Sequence, residues 1–179
     1  MSAAAPEGDD MDGLLKQHFD TFARYNAWAN ARLFDAAALL SDTDYRADRG
    51  AFFRSVHGTL NHLLVTDRVW MFRFTGEGDA PDRLDAILFE QLESLHRARE
   101  VEDARIVRYV TGLEEAALEG SITYRRVSTP EAITQPLAHW FNHQTHHRGQ
   151  VHALLTGLAG RAPELDLLFY QRLADKGLA

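Results

Sequence analysis

His139-Trp-Phe-Asn-His143-Gln-Thr-His146-His147-Arg148-Gly-Gln150 places four histidines within nine residues of one another. The stretch reads as helix, and on a helix His143 and His147 stand one turn apart on the same face. That spacing lets two imidazoles grip a single metal ion. The run is internal, so it is no purification tag. A third ligand must then come from a facing helix, which predicts a bundle.

The flanks agree. Thr134 is expected to cap this helix with Pro136 in its first turn, where proline is tolerated, and Gly157 or Gly160 to end it. Upstream, Leu14, Leu15, His18, Phe19, Phe22, Tyr25, Trp28, Ala29, Leu33 and Leu40 recur at steps of three and four. They predict a first helix over 12–40 with Asp12 as its cap. Polar residues 41–50 form a connection. A second helix is expected over 51–74, with Phe52, Val56, Leu60, Leu63, Trp70 and Phe74 on its stripe. After a loop over 76–82, a third stretch over 84–118 runs through Leu84, Leu88, Leu92, Leu95, Val101, Ile106, Tyr109 and Leu113, with a break near 100–103.

The alternating, β-branched Ser121-Ile-Thr-Tyr-Arg-Arg-Val127 predicts a short hairpin before the last long helix. Asp166 is expected to cap a short closing helix over 167–173. The architecture is therefore all-α, a four-helix bundle in a single domain over 12–179, with 1–11 as a disordered tail.

Composition narrows the function. A formal net charge of −7 argues against nucleic-acid binding and against docking on anionic membrane. Zero cysteines exclude disulfides, thiolate metal sites and a cysteine nucleophile, so any thiol must arrive with a substrate. The start lacks a signal peptide's basic and apolar segments, and no apolar run approaches the roughly 20 residues of a membrane span. A cytoplasmic location is expected.

Three neutral histidines leave a divalent ion at least one open position, as catalytic sites do. The second helix offers His57 and His62. His62 lies among Leu60, Leu63 and Leu64, so His62, His143 and His147 are the predicted ligands. A His139–His143 pair has equal spacing, and His146 lies one step off the axis. His18, His57, His96 and His152 are expected to be ordinary core or surface histidines. Gln144 stands where His-Glu-x-x-His proteases carry their general base, and an amide cannot take a proton from water.

Arg148 is expected in a structural ion pair, Gly149 at a close helix contact, and Gln150 on the outer nitrogen of a ligand histidine. Trp28, Trp70 and Trp140 are expected in the core. Asp67 is expected to meet an exposed partner.

With His62 inside Leu60-Asn-His-Leu-Leu-Val-Thr-Asp-Arg-Val-Trp70, and Asn142-His-Gln-Thr-His-His-Arg-Gly-Gln150 downstream, the chain resembles the DinB family. The likeness extends over about 12–173 and includes the connection 40–46 and the ending 163–170. It implies a four-helix bundle related to the mycothiol-dependent isomerase and bacillithiol transferase folds. It also implies a three-histidine metal site, carried here by His62, His143 and His147.

The functional expectation is a metal-dependent enzyme of thiol transferase or hydrolase type. Its divalent ion (zinc, nickel or iron) activates water or a low-molecular-weight thiol toward a small-molecule substrate. The alternative is a non-catalytic metal-binding stress-response protein. Bundles of this size often dimerise through an outer helix face, which admits a homodimer, though no residue marks the face.

Overall fold

The computed structural model of the chain describes residues 13–124 and 129–179. Four long helices dominate it: α1 (Leu14–Ala37), α3 (Val56–Thr75), α4 (Leu92–Thr111) and α6 (Thr134–Ala159). The joints hold α2 (Asp42–Arg46), α5 (Glu115–Leu118) and an antiparallel pair of two-residue strands, β1 (Ser121–Ile122) and β2 (Glu131–Ala132). The closing helix α7 (Leu167–Ala174) starts at Asp166, whose carboxylate accepts the Leu168 N–H at 2.8 Å. The expected four-helix bundle, hairpin and short C-terminal helix are all present. The expected tail and Asp12 cap lie outside the described residues, as does the tip of the hairpin.

α1 packs on α4 and α6, and α3 packs on the same pair, so the two helices sit at opposite corners of the bundle. Each long helix carries one pattern: apolar residues, then buried polar ones, then apolar again. One apolar layer holds Phe19, Met71, Ile106 and Trp140, and the other holds Leu33, Leu63, Leu95 and Val151. Between them lie Asn26 and Asn30 of α1, Asp67 of α3, Arg99 and Asp103 of α4, and Gln144 and Arg148 of α6, all buried. In α1 and α6 the first layer precedes the second, whereas in α3 and α4 the order is reversed. The helices therefore run up, down, down, up.

That order explains a correction. Consecutive helices α3 and α4 point the same way, so the chain must travel back along the bundle between them. Each is 20 residues, about 30 Å long. Residues 84–91, expected as helix, instead form part of a non-helical strap, because extended chain covers more than twice the distance per residue. Leu84 and Leu88 carry the helical period without the helix. Downstream, α4 runs unbroken through 100–103 and ends at Thr111, and Val101 is 68% exposed rather than on the buried stripe.

Other boundaries shift for local reasons. The connection 41–50 contains α2, because Ser41 caps it by accepting the Asp44 N–H at 3.1 Å. α3 begins at Val56 rather than residue 51, since the Ser55 hydroxyl accepts the Gly58 N–H at 3.0 Å. Phe52 accordingly lies outside the helix and is 80% exposed. Thr134 is the first residue of α6 rather than its cap, and no side chain caps that end. Among the described residues, no helix is long and apolar enough to cross a membrane.

The polar layer is wired as a unit. Arg99 Nη1 lies 2.6 Å from Asp67 Oδ2, and Arg99 Nη2 lies 3.0 Å from Asp103 Oδ1. Asn30 donates to Asp103 at 3.0 Å, Trp140 Nε1 donates to Asp67 at 2.6 Å, and Arg148 donates to Asn26. Two carboxylates thus face two guanidiniums in a desolvated slab. Arg99→Met should cost about 3–5 kcal/mol, because it leaves both carboxylates buried without their nearest counter-charge. Denaturant unfolding of the two proteins measures it; a loss below about 1 kcal/mol would contradict this account of the layer.

Candidate metal centre

α3 presents His62 and α6 presents His143 and His147 on facing sides. One potential ligand atom from each lies within 4.8 Å of the other two. The ring centroids of His62 and His147 are 4.4 Å apart, as are those of His143 and His147. The structure brings together the three histidines expected from the sequence, and no further ligand joins them among the described residues. His139 is exposed, with its ring 5.9 Å from that of His143. His146 is also exposed, and His57 is engaged elsewhere, its Nε2 3.0 Å from the Phe89 carbonyl.

The outer nitrogens of two rings are fixed. His62 Nδ1 donates to the Leu84 carbonyl at 2.8 Å, which leaves Nε2 as a lone pair. His147 Nδ1 donates to Gln150 Oε1 at 2.9 Å, the role expected for Gln150. His62 Nε2 and His143 Nδ1 are buried with no hydrogen-bond partner. Both rings thus keep a nitrogen that no protein group engages, and three imidazoles with ligand atoms within 4.8 Å of one another fit a divalent cation.

The strap supplies the first of these bonds, and Asn61 holds the strap. Its Oδ1 accepts the Leu88 and Phe89 N–H groups at 2.8 and 3.0 Å, while its Nδ2 donates to the Phe89 carbonyl at 3.2 Å. The pair Asn61-His62 therefore works jointly: one residue fixes the strap and the other uses its carbonyl.

Electrostatics favour the ligand form. Burial, helped by the neighbouring His147, pushes the His62 imidazole down to about 4. Burial together with His147 and His62 pushes His143 down to about 3, and burial lowers His147 as well. All three rings are neutral at pH 7, as metal ligands must be.

Phe53 belongs to the site and escaped sequence analysis. Its ring stacks on His62 with centroids 3.7 Å apart and planes 19° apart, and it meets His147 edge-on at 5.4 Å. Periodicity pointed to Phe52, because a helix assumed to start at 51 assigns the inward position one residue early. The signal that finds Phe53 is the Ser55 cap, which ends the helix pattern before it. Arg54 follows with φ of 69°, a left-handed conformation unusual for a residue with a Cβ. This tight turn presses the Phe53 carbonyl onto the first turn of α3, where a Cβ on Gly58 would overlap it.

Three further expectations are corrected. Asp67 meets no exposed partner but is fully buried in the polar layer. Arg148 makes no ion pair within 4 Å among the described residues; it donates to Asn26 and covers the Tyr25 ring at 5.1 Å. Gly149 faces open space, so close packing does not require it. Trp70 and Trp140 are buried as expected, while Trp28 is half-buried against Tyr170.

A sequence profile of the DinB family matches residues 14–177. The chain belongs to the DinB family. It is 27% identical over 165 residues to Protein DinB of Bacillus subtilis (strain 168), covering 85% of this chain and 94% of that protein. The resemblance seen in Asn61-His62 and in the His143–Gln150 run thus extends across the bundle. In this DinB-family chain the two motifs meet at one point, because α3 and α6 are direct neighbours.

Two outcomes follow for this centre. An exposed Gly→Ala change inside a helix ordinarily gains about 1 kcal/mol, but Gly58→Ala should lose about 1–3 kcal/mol by driving the Phe53 turn off α3. A melting temperature equal to or above that of the parent would refute the close approach. The second concerns metal-free protein in chelator. Folded His62 and His143 bind protons later than the unfolded chain, so from about pH 6.5 downward the unfolded state holds more of them and stability falls. Asp67, raised by burial to about 6, acts in the opposite direction. The readout is therefore a difference: the loss of stability between pH 7 and 5 should be smaller in the His62→Ala/His143→Ala double variant than in the parent.

Proposed function

We propose that this chain is a metal-dependent enzyme of small-molecule chemistry, with a divalent ion held by His62, His143 and His147. The observation that carries the reading is the convergence of three neutral imidazoles, each with a potential ligand atom within 4.8 Å of the others, two of which bury a nitrogen without a protein partner. Three protein ligands rather than four leave room for an exogenous one, which separates catalytic sites from closed structural sites. An ion so placed lowers the pKa of a water or small thiol that binds it, which is the chemistry of hydrolases and thiol transferases. Zinc, nickel and iron all suit an all-imidazole donor set.

The chain's own residues do the remaining work. The Leu84 carbonyl and Gln150 hold the imidazoles of His62 and His147 in orientation. Phe53 walls off the His62 side and excludes water from it. An open groove of about 300 Å³, lined by Trp70, Tyr124 and His139 together with Arg73, Glu131 and Gln135, lies next to the centre on the His139 side, though none of the three ligand histidines lines it. The chain contributes no cysteine, so a thiol cosubstrate would meet no internal competitor for the ion. The same reading carries a cytoplasmic setting, where small thiols are kept reduced.

A zinc-protease mechanism is disfavoured by more than the missing glutamate. The Gln144 side chain turns toward the α3–α6 interface and is fully buried there, its amide nitrogen engaged by α3.

The test is elemental mass spectrometry on tag-free protein and on His62→Ala and His143→Ala, followed by a panel of thiols and electrophiles. About one ion per chain is expected, lost in both variants, with turnover that depends on it. Metal without turnover anywhere in the panel would favour the non-catalytic metal-binding stress protein. No ion, even after incubation with zinc, nickel or iron(II), would overturn the metal reading.

A further inference from the structure

Three imidazoles on two helices share an ion only if those helices keep a fixed axial register. A helix advances about 1.5 Å per residue, whereas metal–nitrogen bonds of about 2.0–2.1 Å tolerate deviations of about 0.2 Å. Apolar packing alone specifies register loosely, because hydrophobic contacts are non-directional. Something directional must hold α3 against α6 next to the ligands.

Among the described residues, the side-chain hydrogen bonds linking α3 directly to α6 come from Gln144 and Trp140. Gln144 adjoins His143 in the chain. Its Nε2 lies 3.2 Å from the carbonyl of Leu63, the residue after His62, 3.0 Å from Thr66 Oγ1 and 2.5 Å from Asp67 Oδ1. The Thr66 hydroxyl in turn donates its proton between the carbonyls of His62 itself, at 3.0 Å, and Leu63, at 3.1 Å. A continuous path, Gln144 to Thr66 to His62, thus joins the backbone beside one ligand to the backbone of another. Its far side is anchored on a third helix, because Asp67 is ion-paired with Arg99 of α4. All three acceptors face one amide nitrogen, which fixes the orientation of the amide.

We propose that Gln144 is a positioning residue for the metal centre: its buried amide clamps α6 to the backbone around His62 and sets the distance between the ligands of the two helices. This rests on the three-histidine reading given above. It assigns the glutamine of the His-Gln-x-x-His run a role different from the general base that glutamate supplies at that place in zinc proteases. The glutamine touches no ion, and it acts through the helix spacing. Methionine in its place keeps the length and the packing but removes every bond of the clamp. Asparagine keeps the amide but falls one methylene short.

The experiment titrates metal-free parent, Gln144→Met, Gln144→Asn and Asn30→Ala with cobalt(II) and with zinc, well below each melting temperature. Affinity is followed together with the visible absorption of bound cobalt, which reports coordination geometry. Asn30→Ala breaks a bond in the same polar layer between α1 and α4, away from the clamp.

The clamp predicts a roughly tenfold or greater loss of affinity and an altered cobalt spectrum in Gln144→Met, with a loss also in Gln144→Asn. Asn30→Ala should lower the melting temperature while leaving affinity and spectrum at parental values. If Gln144→Met does not fold, Gln144→Asn decides by the same measures. Parental affinity and spectrum in a folded Gln144 variant would overturn the clamp while leaving the metal site intact. Equal loss of affinity in Asn30→Ala would also overturn it, by making the effect a general loosening of the bundle. A parent that takes up neither ion would overturn the three-histidine reading itself, and the clamp with it.

Discussion

A slab of buried charge crosses the middle of this bundle, and everything else is placed with respect to it. Asp67, Arg99 and Asp103 lie ion-paired at the centre; Trp140 and Gln144 donate to Asp67, Asn26 and Asn30 donate to Asp103, and Arg148 donates to Asn26. Taking such groups out of water is expensive, and their mutual attraction offsets that cost only if the geometry holds. An apolar core alone would tolerate many sliding and rotational arrangements of four helices. A set of charged and polar groups directed at one another, one or more on each helix, tolerates few.

The histidines lie beside this slab on the α3–α6 flank. Asp67 follows His62 by five residues, and Gln144 follows His143 directly. The same two helices therefore carry both the polar contacts that fix their spacing and the imidazoles that depend on it. The outer nitrogens are served from elsewhere: the strap reaches His62, and a residue one turn further along α6 reaches His147. Rigid helices provide the ligands, while irregular chain and a neighbouring side chain adjust them. Such a division keeps the three imidazoles convergent and well positioned.

The sequence disclosed much of the site and much less of its support. His143 and His147 are legible from spacing alone, and His62 from the leucines around it, because ligand positions and core stripes obey the same helical period. Gln150 is legible because a residue three positions after a ligand lies beside it on the helix. The polar slab was not legible. Asn26, Asn30, Arg99 and Asp103 look like solvent-facing residues when each is judged by its own chemistry, and only their convergence from separate helices makes burial tolerable. The strap was hidden for the opposite reason: Leu84, Leu88 and Leu92 step by four, so the period was right while the conformation was decided by a topological need to go back. Phe53 was lost to a one-residue offset, which a stripe cannot resolve at a helix end.

The strap makes the orientation of His62 a reporter of chain threading. The same four helices linked up-down-up-down could bury the same apolar stripes, with a short joint in place of the long return past α3. Leu84 would then have no path alongside His62, and that imidazole would lose the carbonyl that selects its tautomer. A misthreaded bundle could pass for native by helix content and by compactness. The orientation of His62 would give it away.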